Sequence, residues 1–381
     1  MDRRSFLRTS GVSVGGVALG GSLWRGTSEL VDAEEGPYGA LRSPDENGIR
    51  LPDGFRSRVV ARSGRRVGAT SYRWHPAPDG GACFPDDGGW IYVSNSEMND
   101  TGGASAIRFA ADGAITTAYR ILEGTDRNCA GGPTPWLTWL SCEEVPRGRV
   151  YETDPWGKEQ AIVRPGMGRF KHEAAAVDPR RRVVYLTEDE PDGCFYRFRP
   201  AAWPDLSHGV LQVLCQRNRR AMLTWRRIPR PRAAGRETRH QVDDAKHFDG
   251  GEGAWYADGH CWFTTKGDNR LWRYDAARNR LGVVHSDPLT GISSGKVDNV
   301  TLSKSGDVFV AVDGPKLAVF AITPNNRASA FLRITGHDNS EVTGPAFSPD
   351  GRRLYFSSQR GKAGDSEHGI TYEVSGPFRR R

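Results

Sequence analysis

The sequence lacks long apolar runs, and only 37% of its 381 residues are hydrophobic. A transmembrane helix needs about 20 consecutive apolar residues, so the sequence predicts no stable membrane span. Lysine is scarce as well, with 8 residues against 45 arginines. Because arginine dominates the basic residues, a single arginine is a weak functional signal, and most are expected on the solvated surface or in ion pairs.

Several catalytic motifs are also missing. The chain contains no P-loop and no His-Glu-x-x-His sequence, which excludes a common nucleotide-binding signature and a common metallohydrolase signature. No Cys-x-x-Cys pair occurs, so a zinc ribbon is not predicted. The six cysteines permit up to three disulfides in an exported protein, but buried free thiols fit equally well: Cys83, Cys129, Cys142, Cys194, Cys215 and Cys261.

Glycine and proline are abundant, at 46 and 23 residues, and 11 Trp, 11 Tyr and 15 Phe supply an aromatic core. Such a composition favours many short strands joined by tight turns. It excludes a helical bundle, a coiled coil, collagen and global disorder.

The N-terminus carries paired arginines, Arg3 and Arg4, followed by a weakly apolar, glycine-rich stretch from Thr9 to Trp24. This pattern is typical of a twin-arginine signal peptide. We predict that residues 1–33 form the signal and that the mature protein is extracellular or periplasmic. Because this route carries folded proteins, often with a metal already bound, the signal favours a metal site.

Short hydrophobic strands recur at intervals of about 46 residues, with one longer interval of about 78. A second strand follows each of them, so each pair predicts a hairpin. A period of 40–50 residues with several strands per unit is typical of a β-propeller. The sequence therefore predicts an all-β fold, a six-bladed β-propeller over residues 34–381. The recurring strands are Trp90–Asn95, Trp136–Ser141, Val183–Glu188, Cys261–Lys266, Asp307–Val312 and Arg352–Ser357.

The longer interval contains an extra arginine-rich segment, at about residues 200–244, which we interpret as an insertion. Residues 217–239 hold nine arginines and one acidic residue, Glu237. A basic patch of this kind can bind nucleic acid, but the export signal argues against it, and we predict no nucleic-acid partner. A solvated surface segment is the simpler interpretation.

Polar residues recur just before each hairpin and at the end of its first strand. In a propeller the strand before each hairpin is the innermost one, so these positions lie at one rim of the central channel. Before the hairpins stand Asn128, Cys129, His172, Glu173, Glu252, Asp298, Asn299 and Glu341. At the strand ends stand Asn95, Glu97, Glu143, Glu144, Glu188, Asp189 and Asp313.

So many carboxylates at one rim would repel one another, which predicts multivalent cations among them. Carboxylate and amide oxygens suit calcium. A cysteine thiolate and a histidine among them suit a transition metal such as iron.

At these positions the sequence resembles the PhoX-type alkaline phosphatase family. The resemblance extends over most of residues 40–375, and the chain looks like a compact, divergent member. The matching segments, of which the first two are the most specific, are Asn128–Glu144, Gly168–Pro179, Val184–Asp189, Gly193–Phe198, Gly251–Tyr256, Asp298–Val300 and Thr343–Gly351.

The resemblance implies an enzyme that hydrolyses phosphomonoesters with Fe³⁺ and Ca²⁺. It implies that Cys129 binds iron and that Glu173 and Glu252 bind iron and calcium, which makes these three the candidate catalytic residues. It also implies that Glu143 or Glu144, with Asp313, holds calcium. Together with the rim positions, the candidate metal ligands are Asn95, Glu97, Cys129, Glu143, Glu144, Glu173, Glu252, Asn299, Asp313 and Glu341.

The sequence departs from the family pattern next to one of these ligands. The family has Arg-Pro-Glu, with an arginine that contacts phosphate, where this chain has Gly250, Gly251 and Glu252. An arginine of residues 217–239 is therefore a candidate to replace the missing one. Two smaller departures are Val312, where the family has a glutamate before the aspartate, and Ser96, where the family commonly has a histidine between the asparagine and the glutamate.

We therefore expect an exported, monomeric phosphoric monoester hydrolase that acts on a small phosphorylated substrate. One alternative is a calcium-dependent hydrolase of another ester class, such as a lactonase, which predicts calcium without iron. The other is a non-catalytic propeller that binds a partner or a phosphorylated ligand at its rim, which predicts metal binding without turnover.

Overall fold

The computed structural model describes residues 36–218, 222–285 and 295–380, and within them the chain is built almost entirely of β-strands. The predicted signal peptide lies outside the described residues. Three short 3-10 turns are present, at Pro165–Met167, Thr238–His240 and Ser366–His368. Within the described ranges, no helix has the length and apolar character needed to cross a membrane.

The strands form six antiparallel sheets, each of which is one blade of a propeller. The first strands of the chain are β1 (Ile49–Arg50) and β2 (Arg56–Arg62). Blade 1 comprises β3 (Pro78–Asp86), β4 (Gly89–Ser96), β5 (Gly102–Ala110) and β6 (Ile115–Thr125). Blade 2 comprises β7 (Asn128–Pro133), β8 (Trp139–Glu143), β9 (Val150–Thr153) and β10 (Ile162–Val163). Blade 3 comprises β11 (His172–Asp178), β12 (Val183–Glu188), β13 (Gly193–Ala202), β14 (Asp205–Cys215), β15 (Thr224–Arg227) and β16 (His247–Phe248).

The remaining blades follow the same order from the axis outward. Blade 4 comprises β17 (Gly251–Ala257), β18 (His260–Thr265), β19 (Arg270–Asp275) and β20 (Arg280–His285). Blade 5 comprises β21 (Lys296–Leu302), β22 (Val308–Asp313), β23 (Ala318–Ile322) and β24 (Ala328–Ile334). Blade 6 comprises β25 (Val342–Phe347), β26 (Arg353–Ser358) and β27 (Ile370–Ser375).

The N-terminal strands close the ring. Strand β2 pairs with β27 and supplies the outermost strand of blade 6, and β1 pairs with β24 at the edge of blade 5. The inner strands β3, β7, β11, β17, β21 and β25 contact one another in a closed circle. The six-bladed prediction is thus confirmed.

Apolar side chains fill the six spaces between neighbouring blades, with one buried cluster in each space. The rings of Phe195 and Phe263, for example, stack across blades 3 and 4 with centroids 4.5 Å apart. Tyr92 and Tyr355 stack across blades 1 and 6 at 4.8 Å. Because the apolar side chains pack between the blades, polar side chains can occupy the rim at the axis.

The structure places the extra segment of blade 3 later than the predicted start at residue 200. Strand β13 continues to Ala202, and β14 is the ordinary fourth strand of the blade. The additional chain follows β14 and contains β15, the turn Thr238–His240 and β16. The first half of β14, Asp205–Val210, is mostly exposed and interrupts the apolar pattern, whereas its second half is mostly buried.

Each inner strand carries a register shift near its start, where two residues bulge out of the ladder. In blade 1, for example, Pro78 pairs with Ser96 and Gly81 with Ser94, which leaves Asp79 and Gly80 in the bulge. Bulges re-aim side chains and are common beside active sites. The first bulge residues of blades 1 to 6 are Asp79, Cys129, Glu173, Glu252, Asp298 and Gly344.

In blades 1 to 4 the residue after the first bulge residue is small, because neighbouring inner strands nearly touch there. A Cβ on Gly80 would lie 2.6 Å from the Cα of Ala130, and one on Gly253 would lie 2.6 Å from the Cα of Asn299. The channel beneath the bulges narrows to a void of about 30 Å³. The bulge residues therefore form one end of a nearly filled channel.

Candidate metal centre

A cavity of about 450 Å³ opens at the axis, where the inner strands begin and the second strands end. Eight carboxylates and four basic side chains line it. The carboxylates are Asp79, Glu97, Glu144, Glu173, Glu252, Asp298, Asp313 and Glu341, and the basic residues are Arg127, Lys266, Lys296 and Arg360. The sulfur of Cys129 faces the same cavity, so hard and soft metal donors share one space.

Three groups of side chains bring their donor atoms within 4.8 Å of one another. They share members, because Cys129 belongs to the first two groups and Glu173 to the last two. The three groups are Asp79, Glu97 and Cys129; Cys129, Glu144 and Glu173; and Glu173, Glu252 and Asp298. Such sharing places three candidate cation sites side by side around the axis.

Basic residues link the carboxylates of blades 1 to 4 into one chain of alternating charge. Arg127 Nη2 lies 2.6 Å from Glu97 and 3.0 Å from Glu144. Lys171 Nζ lies 2.8 Å from Glu144 and 2.6 Å from Asp189. Lys266 Nζ lies 2.7 Å from Asp189 and 2.6 Å from Glu252.

Neutral donors hold most of the other carboxylates. Asp79 accepts hydrogen bonds from the backbone N–H of Gly80 (2.6 Å) and from Gln359 Nε2 (2.5 Å). Gln359 also donates to Glu97 at 2.7 Å. Asp313 accepts from the N–H of Val342 at 2.7 Å. These contacts orient the carboxylates without neutralising their charge.

Burial and mutual repulsion make several of these groups poor anions in the absence of cations. Burial and Glu252 raise the pKa of Glu173, and burial with Asp79 and Glu173 raises the pKa of the Cys129 thiol. Burial raises the pKa of Glu252 to about 8, although Lys266 opposes the shift. Burial, Asp189 and Glu97 raise the pKa of Glu144 to about 9. A bound cation would reverse these shifts, since ligands bind metals in their deprotonated form.

The hydrogen bonding of the buried Glu173 carboxylate indicates whether the site can hold metal ions. Its side chain is fully buried, and its Oε1 accepts a hydrogen bond from the Cys129 thiol at 3.3 Å. Its Oε2 has no hydrogen-bond partner among the described residues. An unpaired buried carboxylate oxygen is costly, and a cation at this position would satisfy it. The donor set, one thiol among many carboxylates, therefore fits the predicted iron and calcium.

The cavity brings together seven of the ten residues that the sequence indicated as metal ligands, including the three catalytic candidates. The seven lining residues are Glu97, Cys129, Glu144, Glu173, Glu252, Asp313 and Glu341.

The other three candidates lie outside the cavity lining because their polar atoms are engaged elsewhere. Glu143 accepts hydrogen bonds from the backbone N–H groups of Asp126 and Arg149. Asn95 donates to the carbonyls of Cys129 (3.0 Å) and Ala130 (2.8 Å), and so holds the strand that carries the thiol. Asn299 accepts from the N–H of Gly344 at 2.6 Å. Among the residues offered as alternatives, Glu144 is thus the one that faces the cavity.

The sequence pattern missed two acidic members of the cavity, Asp79 and Asp298, as ligands. Asp79 stands between Pro78 and two glycines and reads as part of a turn. The signal that could have found it is a ligand-type residue followed by small residues, which Asp79, Cys129, Glu173 and Glu252 share.

The basic lining residues were also missed, because they come from strand ends rather than from the insertion. No described arginine of residues 217–239 lines the cavity, so the predicted arginine replacement is not found among them. Lys266 instead runs through the space beside Gly250, where an added Cβ would lie 2.9 Å from the Lys266 Cγ. Gly250 has a φ of +69°, which favours glycine at this position.

All six cysteines are free in the structure, which leaves the disulfide alternative without support. Five of them are buried, and Cys83 is half-buried. Among them, Cys129 is the one that lines the cavity.

Comparison with solved structures supports the propeller. Pseudomonas fluorescens PhoX, solved in complex with vanadate, a transition state analogue, matches with a TM-score of 0.70 and 17% identity over 88% of this chain and 97% of that chain. A gluconolactonase of Xanthomonas campestris matches with a TM-score of 0.52 and 12% identity over 90% and 99%. A Bacteroides thetaiotaomicron protein of unknown function gives 0.53 and 9% over 88% and 84%. At these identities the likeness shows the fold alone.

Sequence comparison is more specific. Among curated proteins, none is significantly similar to the chain. The profile of the family described as "Alkaline phosphatase PhoX" matches residues 87–159 and 146–284, which together make up more than half of the chain and include blades 2 and 3 and most of blades 1 and 4. The chain therefore belongs to the PhoX alkaline phosphatase family.

Proposed function

We propose that the protein is an exported, metal-dependent phosphoric monoester hydrolase whose reaction centre is the cavity at the propeller axis. The observation that carries the proposal is the set of three adjacent donor groups that share Cys129 and Glu173. The family membership supports phosphate ester hydrolysis as the reaction, and the donor chemistry supports a multi-metal site.

In this proposal Fe³⁺ is held by Cys129 with Glu144 and Glu173, and Ca²⁺ by the all-carboxylate surroundings, because thiolate suits a transition metal and carboxylates suit calcium. When bound, such cations polarise a phosphoryl group and stabilise the charge of its transition state. Glu173 belongs to two donor groups, so its carboxylate would contribute to holding a cation in either of them.

The chain supplies its own cations for substrate binding. Lys266 is the best candidate to contact the phosphate, because it lines the cavity, contacts Glu252 and occupies the space beside Gly250. Its side chain remains 37% exposed, so its ammonium group is accessible from the cavity. Arg127 and Arg360 flank the same space and would add to the attraction for a dianion.

The substitution Glu252→Gln tests this proposal. We expect a loss of turnover on p-nitrophenyl phosphate of at least about 100-fold, because the variant removes one ligand charge at the centre, with little change in Tm. Metal analysis of wild-type protein exported by its own host is expected to find both iron and calcium.

Two outcomes would favour the alternatives. Calcium without iron, together with hydrolysis of a lactone and no inhibition by inorganic phosphate, would indicate another class of esterase. Stoichiometric metal with no turnover of any ester would indicate a binding propeller. Wild-type activity in Glu252→Gln would contradict the assignment of the cavity as the reaction centre.

A further inference from the structure

A second cavity, of about 370 Å³, lies beside the metal centre and is called the insertion pocket here. Its walls come from residues 146–147, 169–171, 188–190 and 233–239. The first three segments follow second strands or precede an inner strand, so they belong to the face on which the metal centre opens, and the fourth comes from the inserted chain between β15 and β16. The volume is typical of sites that hold small molecules, roughly 300–1,000 Å³.

Lys171 connects the walls of the two cavities. Lys171 lines the insertion pocket, and its Nζ contacts Glu144 and Asp189 at 2.8 and 2.6 Å. Glu144 lines the metal centre. The walls of the insertion pocket and of the metal centre are therefore in direct contact through Lys171 and Glu144.

The walls of the insertion pocket carry five basic and three acidic side chains. Two of the acids are already matched by Arg239, which lies 3.5 Å from Glu188 and 3.0 Å from Glu237. The balance of the remaining charges is positive.

Arg147 and Arg169 are the source of that excess. Each donates to a carbonyl, Arg147 to Ala233 (2.6 Å) and Arg169 to Arg147 (2.5 Å), and neither forms an ion pair with a described carboxylate. Burial and the nearby guanidinium groups of Arg149 and Arg147 lower the pKa of Arg169. Guanidinium groups bind phosphate and carboxylate through paired N–H donors, so an anion between these two side chains would relieve their repulsion.

The pocket is held in shape by the inserted segment. The backbone N–H of Arg169 donates to the carbonyl of Pro231 at 2.9 Å, and Thr238 Oγ1 donates to the carbonyl of Arg169 at 2.9 Å. Together with the contact from Arg147 to Ala233, these bonds fix both arginines against the insertion. A preorganised site loses less side-chain entropy on binding.

We propose that the insertion pocket binds a second anionic group, a phosphate or carboxylate, on the alcohol portion of the substrate while the scissile phosphate lies in the metal centre. The substrate class would then be a phosphomonoester that carries a further anionic group. This inference rests on the proposed function, but the pocket can also be tested without turnover.

The kinetic test uses the double variant Arg147→Gln/Arg169→Gln and two substrates. For a sugar bisphosphate we expect kcat/KM to fall by about 10- to 100-fold, the loss of one or two charge-assisted contacts. For p-nitrophenyl phosphate, which has no second anionic group, we expect a change of less than about 2-fold. The matched control is Arg227→Gln, on exposed strand β15 of the same segment, which should leave both substrates unchanged.

The binding test uses calorimetry on Glu252→Gln, which needs no turnover. We expect the sugar bisphosphate to bind at least about 10-fold more tightly than the corresponding monophosphate. Adding Arg147→Gln/Arg169→Gln should remove that difference. If the difference is found and no phosphomonoester is hydrolysed by wild-type protein, the pocket is supported and the proposed function fails.

Three results would overturn the inference. One is an equal loss of kcat/KM on both substrates in the double variant. Another is equal binding of bisphosphate and monophosphate before the arginines are changed. The third is a site for free inorganic phosphate that disappears in the double variant while the preference for the bisphosphate remains, which would identify the pocket as a site for the free ion.

Discussion

The carboxylates of the metal centre contact different kinds of groups in its two halves. On the bridged half, which runs from Glu97 to Glu252, each of Arg127, Lys171 and Lys266 contacts two carboxylates. On the open half, Asp79 and Asp313 rely on neutral donors, and Asp298 accepts from the neighbouring Asn299 amide. The bridged half is therefore compensated mainly by basic side chains, whereas the open half, where Arg360 contacts Glu341 at 3.0 Å, relies more on neutral donors.

The pKa values of the aspartates follow this division. Although burial acts to raise it, hydrogen bonding with Glu144 and the ammonium groups of Lys266 and Lys171 lower the pKa of Asp189 to about 2. On the open half, burial and neighbouring carboxylates raise the pKa of Asp79, Asp298 and Asp313. Contact with basic side chains is not enough by itself to lower a pKa, because burial and neighbouring carboxylates still raise the pKa of Glu144 and Glu252 on the bridged half.

The largest effect is expected from the adjacent pair Glu143 and Glu144, because one faces the cavity and the other does not. Glu144→Gln should lower kcat by at least about 100-fold and reduce metal content, since it removes a donor from the bridged half. Glu143→Gln should keep the metal content and most of the activity. Metal analysis and turnover of p-nitrophenyl phosphate measure both. Equal losses in the two variants would contradict the assigned side-chain directions.

Lys266→Met breaks the bridged half while leaving the donor groups in place. We expect kcat/KM to fall by about 10- to 100-fold, because Asp189 and Glu252 lose a shared cation and the phosphate loses a contact. Lys266→Arg should recover part of the activity. Iron and calcium contents should stay near those of the wild type. Full activity in Lys266→Met would contradict both roles, the neutralisation of Asp189 and Glu252 and the contact with phosphate.

The open half predicts a dependence of stability on calcium. Chelation should lower Tm and added calcium should restore it, because a ligand at 100 times its Kd contributes about 2.7 kcal/mol. Asp79→Asn should weaken this response, whereas a surface change such as Asp53→Asn should not. Differential scanning calorimetry with and without calcium checks the effect. An equal calcium response in wild type and Asp79→Asn would place the stabilising ion elsewhere.

The smallest effect concerns Glu188, the chain neighbour of Asp189. Burial raises the pKa of Glu188 to about 7, although Tyr196 and Arg239 oppose the shift. Only the folded state then keeps the proton between about pH 4.5 and 7, so this contribution to stability is present at acid pH and is lost as the pH rises through 7.

Glu188→Gln removes that proton equilibrium. The stability of wild type relative to Glu188→Gln should therefore fall by about 2 kcal/mol between pH 5 and 8. Denaturant unfolding of both proteins across this range measures the difference. A difference that stays constant with pH would mean that Glu188 is ionised throughout.

Much of the architecture could be predicted because it depends on local sequence patterns. The hairpins recur at a fixed spacing, and blade closure follows once six units are counted. The start of the extra segment of blade 3 was placed before β14, because polar and exposed residues in the first half of that strand interrupt the apolar pattern. Asp79 was missed because a proline and glycines next to an aspartate indicate a turn as readily as a bulge.

The candidate site shows more clearly which features local sequence determines and which depend on the tertiary structure. Local sequence was enough to indicate the types of ligand and the rim on which they lie, because each sits at the same place in its repeat. The choice between Glu143 and Glu144, the cations that link blades and the pocket beside Lys171 depended on the tertiary structure. These features come from bulges that turn side chains and from contacts between blades far apart in sequence, which no local pattern records.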